Sequence, residues 1–168
     1  MEGVWDRLKG DVKGEMDGGK IVTLVGAKLA NVNDEFIFLG ASEKCEDCKL
    51  KKSCANLEID RRYRIEKIRD EIKHDCQIHE DGVRVVEVME PPIKVAIDTK
   101  LALKGAKIVF EPVDCGNADY ELLDLCQPMG LKKGDRCTIL DLVGDVPDKY
   151  NKQKVQGLKL VEVEREGK

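Results

Sequence analysis

Ile21-Val22-Thr23-Leu24-Val25-Gly26-Ala27-Lys28-Leu29-Ala30 is answered, 72 residues on, by Ile93-Lys94-Val95-Ala96-Ile97-Asp98-Thr99-Lys100-Leu101-Ala102. The same step carries Phe36-Ile37-Phe38 onto Ile108-Val109-Phe110 and Cys54 onto Cys126. After a two-residue insertion, Leu57, Arg62, Ile65 and Ile68 fall on Leu131, Arg136, Ile139 and Leu142. One more inserted residue brings Gly82-Val83-Arg84-Val85-Val86-Glu87-Val88 onto Gly157-Leu158-Lys159-Leu160-Val161-Glu162-Val163. Each match is weak alone, but the order and near-constant spacing are not what chance produces. Residues 21–90 and 91–164 read as two diverged copies of one unit of about 70 residues.

Each copy reads as four strands. Residues 21–25 are short, apolar and β-branched, and residues 35–39 follow an Asn33-Asp34 turn. Residues 63–68 and 83–88 alternate, or nearly so, as half-buried strands do. Their counterparts behave alike, with Gly134-Asp135 turning the chain into residues 136–140. The expected fold class is mainly β. One domain over 21–164, closed as a pseudo-twofold β-barrel, would bury both apolar faces and remove the sheet edges. Single helical turns are expected at 28–30 and 99–104, and a short helix at 119–125. Residues 1–20 form an N-terminal extension rich in glycine, with Met1, Trp5, Leu8 and Val12 on one helical face. A short helix or a tail is expected there.

The 168 residues are 42% hydrophobic and 37% charged, which excludes a disordered chain. Lys plus Arg is 29 against 33 Asp plus Glu, a net charge of −4, so a generic nucleic-acid binder is not favoured. With three Phe, three Tyr and one Trp, platforms for stacking bases are scarce and the core must be aliphatic. No apolar run approaches the roughly 20 residues of a membrane span, and Met1-Glu2-Gly3-Val4-Trp5-Asp6 lacks the order of a signal peptide. A cytoplasmic protein without membrane association is expected.

Seven cysteines stand beside only two histidines. In a reducing compartment they are not expected to form a disulfide framework, which leaves burial, metal or cluster binding, or thiol redox chemistry. Cys45-Glu-Asp-Cys48-Lys-Leu-Lys-Lys-Ser-Cys54 is the sharpest signal. A Cys-x2-Cys step lets two thiolates of one tight loop reach a single centre, and Cys54 adds a third. A fourth ligand must come from elsewhere, with Cys76, Cys115 and Cys126 as candidates. Lys49, Lys51 and Lys52 suit a group of thiolates, since nearby positive charge lowers a thiol pKa. Cys76-Gln-Ile-His79 offers a second account, because with Cys45 and Cys48 it makes an acceptable zinc set. His74 reads as solvated, and Cys137, standing where the first copy has Tyr63, reads as core. The basic stretch of Lys49 to Lys52 with Arg61, Arg62 and Arg64 reads as a solvated face rather than a phosphate site. No catalytic serine, zinc-protease or phosphate-loop motif is present, and no catalytic residue is assigned.

Several ordered motifs together resemble the uncharacterised archaeal protein family 0179. They are Leu24-Val-Gly-Ala-Lys-Leu29, Phe36-Ile-Phe-Leu-Gly40, the Cys45/Cys48/Cys54 loop, Cys76-x2-His79-x2-Gly82-Val-Arg-Val-Val-Glu87, Phe110-Glu-Pro-Val-Asp-Cys115 and Leu125-Cys-Gln-Pro128 through Gly134. The resemblance covers roughly residues 20 to 164. It implies iron–sulfur redox centres on two cysteine groups, which here are Cys45, Cys48 and Cys54, then Cys115 and Cys126. With two cysteines in the second group, one shared site is favoured over two clusters.

The expected function is therefore binding of one Fe4S4 cluster by Cys45, Cys48, Cys54 and either Cys126 or Cys76, in a redox, sensing or structural role with a protein or redox partner. The rival is a zinc-stabilised binding module without catalysis, associated with nucleic acid or ribosomes. A dithiol enzyme using Cys45 and Cys48 is disfavoured, because the usual setting of that pair is a strand-to-helix turn in an α/β fold.

Overall fold

The computed structural model describes residues 19–69, 71–150 and 155–167. The expected N-terminal helix or tail falls almost wholly outside them. The chain divides into two compact units, Met1–Glu90 and Pro91–Lys168, each built on one four-stranded sheet.

The first sheet holds β1 (Ile21–Gly26), β2 (Glu35–Ile37), β3 (Arg62–Ile68) and β4 (Val83–Met89) in the order β1-β4-β3-β2. The second holds β5 (Ile93–Asp98), β6 (Lys107–Val109), β7 (Arg136–Asp145) and β8 (Leu158–Arg165) in the order β5-β8-β7-β6. All pairings are antiparallel, and the two sheets share one topology. The fold is mainly β.

The duplication extends to the register. Ile21 faces Val88 in the first sheet, and Ile93 faces Val163 in the second. The β3–β4 ladder slips between Ile65 and Lys67, and the β7–β8 ladder slips at the equivalent Ile139 and Asp141. A bulge adds one residue to one strand and bends it; finding it twice at one position makes it part of the unit's design. Beyond β2, Phe38 N–H donates to the Arg61 carbonyl at 3.0 Å, as Phe110 N–H does to that of Asp135 at 2.7 Å. This irregular pairing ends β2 two residues before the expected boundary.

Apolar periodicity becomes a core within each unit. In the first, Ala30, Leu57, Tyr63, Ile65, Val86 and Val88 form one buried cluster, and Leu24, Val83 and Val85 a second. In the second, Ile93, Val95, Ile97, Phe110, Cys137, Ile139, Val161 and Val163 make the main cluster. Each of these clusters is drawn from residues of one unit.

Among the described residues two short helices interrupt the strands, α1 (Lys51–Cys54) packed on β1 and α2 (Tyr120–Cys126) packed on β5. Asp119 caps α2, its carboxylate accepting the Leu122 N–H at 2.9 Å. The expected helical turn at 99–104 is a 3-10 turn over Thr99–Leu101, capped by Asp98, whereas the one expected at 28–30 is a simple turn over residues 27–29. No described helix is long and apolar enough to cross a membrane.

Candidate functional site

The cysteine loop is built by local hydrogen bonding that the spacing of its residues permits. Ser42 caps the 3-10 turn Glu43–Cys45, its hydroxyl oxygen accepting the Lys44 N–H at 3.1 Å. Cys48 N–H then donates to the Cys45 carbonyl at 3.0 Å, and Cys54 N–H to the Leu50 carbonyl at 2.9 Å in α1. Two bonds fasten the loop to β1. The Thr23 hydroxyl donates to the Ser53 carbonyl at 3.1 Å, and Asn56 Nδ2 donates to the Val22 carbonyl at 2.7 Å. Thr23 is 1% exposed, so its hydroxyl needs this partner.

Cys76 approaches from the connection between β3 and β4. Leu50, Cys54 and Cys76 all pack against the buried Leu24, Val83 and Val85. Cys45, Cys48, Cys54 and Cys76 line one cavity of about 510 Å3, together with His79 and apolar side chains including Leu24, Phe36 and Ile65. Cys45, Cys48, Cys76 and His79 also line a second, more polar cavity of about 670 Å3 that includes Lys44, Lys73 and Asp81. Among the described residues no three His, Cys, Asp or Glu side chains are arranged to hold a single metal ion. The four thiols share a cavity without closing to single-ion geometry.

Burial pushes the Cys54 thiol up to about 12, and Cys48, Cys76 and Cys45 nearby act in the same direction. This corrects the expectation that the neighbouring lysines lower the thiol pKa there. Lys51 Nζ instead pairs with Glu46 at 2.7 Å, and desolvation outweighs what remains of its field. The three arginines of this stretch also have acidic partners, Arg61 with Glu58, Arg62 with Glu35 and Arg64 with Glu66.

Cys76 Sγ accepts the Ile78 N–H at 3.4 Å and lies 3.3 Å from His79 Nδ1. His74, which reads as solvated from sequence, is half-buried with no partner for its Nε2, and its backbone bridges Val83. Gly26 stands at the end of β1. A Cβ there would stand 2.5 Å from His79 Cδ2. An isolated glycine in a strand pattern was the available signal, since it marks a close approach.

The second unit differs. Cys115 and Cys126 are joined in a disulfide, and both are buried. This corrects two expectations: a disulfide is present, and Cys126 and Cys115 offer no thiolate to a cluster while it stands. The cause is their placement, with Cα atoms 6.5 Å apart across a loop that α2 closes. Cys137 is fully buried among Ile93, Val95 and Ile139, where core packing was expected.

A family model described as Uncharacterised protein family (UPF0179) matches residues 21–163. The chain belongs to this family. The UPF0179 match begins with β1 and ends within β8, so it takes in both sheets. A UPF0179 protein of Pyrococcus abyssi is 46% identical over 87% of this chain and 98% of its own length. Another, of Methanosarcina barkeri, is 40% identical over 80% of this chain and 93% of its own. A third, of Thermococcus onnurineus, is 48% identical over 79% and 88% respectively. No solved structure matches the chain.

Proposed function

We propose that this UPF0179 member binds one Fe4S4 cluster through Cys45, Cys48, Cys54 and Cys76, and serves in electron transfer or redox sensing with a protein partner. The observation that carries the reading is the gathering of four thiols, from two separate connections of one unit, around a single cavity. Thiolates on an Fe4S4 cluster stand about 6 to 7 Å apart, further than those on one zinc with its Zn–S bonds of about 2.3 Å. Four thiols in one cavity without single-ion geometry suit the larger group. The donor set fits it chemically, since thiolate sulfur is the ordinary ligand of such clusters. The half-buried Cys54 thiol, pushed up by desolvation, gains a partner for its charge once it ligates iron. The cluster would supply one-electron chemistry at a potential set by exposure and by hydrogen bonds to its sulfurs.

One observation favours zinc as a second reading: Cys76 Sγ and His79 Nδ1 stand 3.3 Å apart, close enough to share one ion. Anaerobic purification with iron, zinc and acid-labile sulfide analysis separates the two. Brown protein with about four iron and four sulfide per chain is expected. Cys48→Ser and Cys76→Ser should each lose most of both, while Cys137→Ser keeps them. Colourless protein with one zinc overturns the iron–sulfur reading.

A further inference from the structure

The imidazole of His79 is held in a seat. Gly26 presents no Cβ, and one placed there would stand 2.5 Å from Cδ2 and 3.2 Å from Nε2 of His79. The Cδ2 corner of the ring therefore lies against the end of β1, with Cγ as near as Nε2 at 3.2 Å. The Gly82 N–H donates to the His79 carbonyl at 3.0 Å and fastens the turn from behind. What the ring presents to the thiol is Nδ1, 3.3 Å from Cys76 Sγ. That sulfur already accepts the Ile78 N–H at 3.4 Å, so it is placed as an acceptor. The arrangement places a backbone N–H and a ring nitrogen, whose role as donor or acceptor depends on its tautomer, at one sulfur.

We propose that His79 is a positioning residue for Cys76 and not itself a ligand: Nδ1–H donates to Sγ, fixes the direction of the thiolate and draws charge from it. This rests on the reading that Cys76 completes the cluster's donor set. Hydrogen bonds to ligating sulfur stabilise the more negative, reduced form of a cluster and so raise its reduction potential. The ring's Cδ2 corner faces Gly26, and a ligand role for Nδ1 would end its contact with sulfur. Gly26 thus belongs to the site, since any larger residue displaces the ring.

The test compares reconstituted wild-type protein with His79→Leu, His79→Asn and Gly26→Ala. Asn offers an N–H near the place of Nδ1, whereas Leu fills the space without a donor. Expected are full iron and sulfide in all four proteins, a midpoint potential in His79→Leu shifted below wild type, and recovery of more than half that shift in His79→Asn. Gly26→Ala should shift the potential in the same direction as His79→Leu. An unshifted potential in His79→Leu overturns the proposal, and so does loss of iron from it, which would make His79 a ligand. A separate reading uses the metal-free wild-type protein, whose imidazole 15N spectrum should show the proton on Nδ1. A bare Nδ1 overturns the hydrogen bond. If the wild type takes up no iron and sulfide, the cluster reading fails by itself, and the 15N spectrum still decides whether His79 donates to Cys76.

Discussion

Asn33 and Asp60 are the two described non-glycine residues with positive φ, at 73° and 64°. Their counterparts in the second unit are Gly105 and Gly134, at 82° and 91°. The bonds agree as well: Asn33 N–H donates to the Ile65 carbonyl and Gly105 N–H to that of Ile139, each at 2.8 Å. One copy meets the left-handed backbone with glycine and the other with Asn and Asp, which tolerate it through their short polar side chains. Two opposing terms then set the effect of Asn33→Gly. Relief of the left-handed strain is offset by greater freedom of the unfolded chain, and urea denaturation should find a change within about 0.5 kcal/mol. Asn33→Val has no such offset and should lose about 1–2 kcal/mol. Equal stability of the two variants would show that the turn rearranges. Cys137 makes a second case at this scale. Fully buried and with its Sγ 3.9 Å from the Asp135 carbonyl, it should lose about 1–3 kcal/mol as Cys137→Ser, without any change in iron content. The core role of Cys137 was legible because its repeat position fixed its place in a strand. The role of Gly26 was not, because the ring it accommodates lies far along the chain.

At the scale of elements, α1 and α2 are equivalent pieces that fasten their units differently. Each packs on the first strand of its sheet and ends in a repeat-matched cysteine, Cys54 or Cys126. In the first unit that cysteine joins three other thiols, and in the second it closes a disulfide with Cys115 across 11 residues of sequence. The repeat offset correctly paired Cys54 with Cys126, but an offset carries no information on which third residue each one meets. Nor does spacing alone show that packing brings Cys115 and Cys126 together and buries both. In the chain-entropy account a loop of this size is worth about 3 kcal/mol. Cys115→Ser with Cys126→Ser should therefore lower the unfolding free energy by about 2–4 kcal/mol, measured by denaturant titration. An unchanged midpoint would mean the disulfide adds nothing to the packing of α2. The same helix has an acid-sensitive start. The Leu122 N–H first, then the Tyr150 hydroxyl and the charge of Lys149, hold Asp119 below its ordinary 3.8. A lowered folded-state pKa contributes stability in full above that ordinary value and loses it as pH falls through the folded one. Asp119→Asn keeps an acceptor for the cap but removes the charge, so its stability should fall less steeply than that of wild type below about pH 4. An identical acid limb in the two proteins would remove Asp119 from the account.

At the scale of the whole molecule, the repeat gives two sheets of one topology while the thiol site occurs in the first unit alone. Periodicity fixed the strands because a half-buried sheet requires alternation, and the duplication doubled the signal. The gathering of Cys76 with the 45–54 loop was less legible, since it depends on how the β2–β3 and β3–β4 connections fold back over Leu24 and Val83. That geometry makes a prediction about where binding energy is felt. The four proposed ligands lie on two connections of one sheet, so a cluster would tie residues 42–57 to residues 74–83 and restrain β3 and β4 between them. Ligand binding stabilises the folded state by RT ln(1 + [L]/Kd), and at a metal site that energy appears as folding energy of the segments joined. Hydrogen exchange of the reconstituted protein against the metal-free protein should show slower exchange in 42–57, 74–83 and the β3–β4 ladder. The Cys48→Ser protein, treated alike, should show no such gain. The contrast rests on the four ligands residing in the first unit, so a gain centred on the loop between Cys115 and Cys126 would place the cluster in the second unit and overturn the assignment of Cys76.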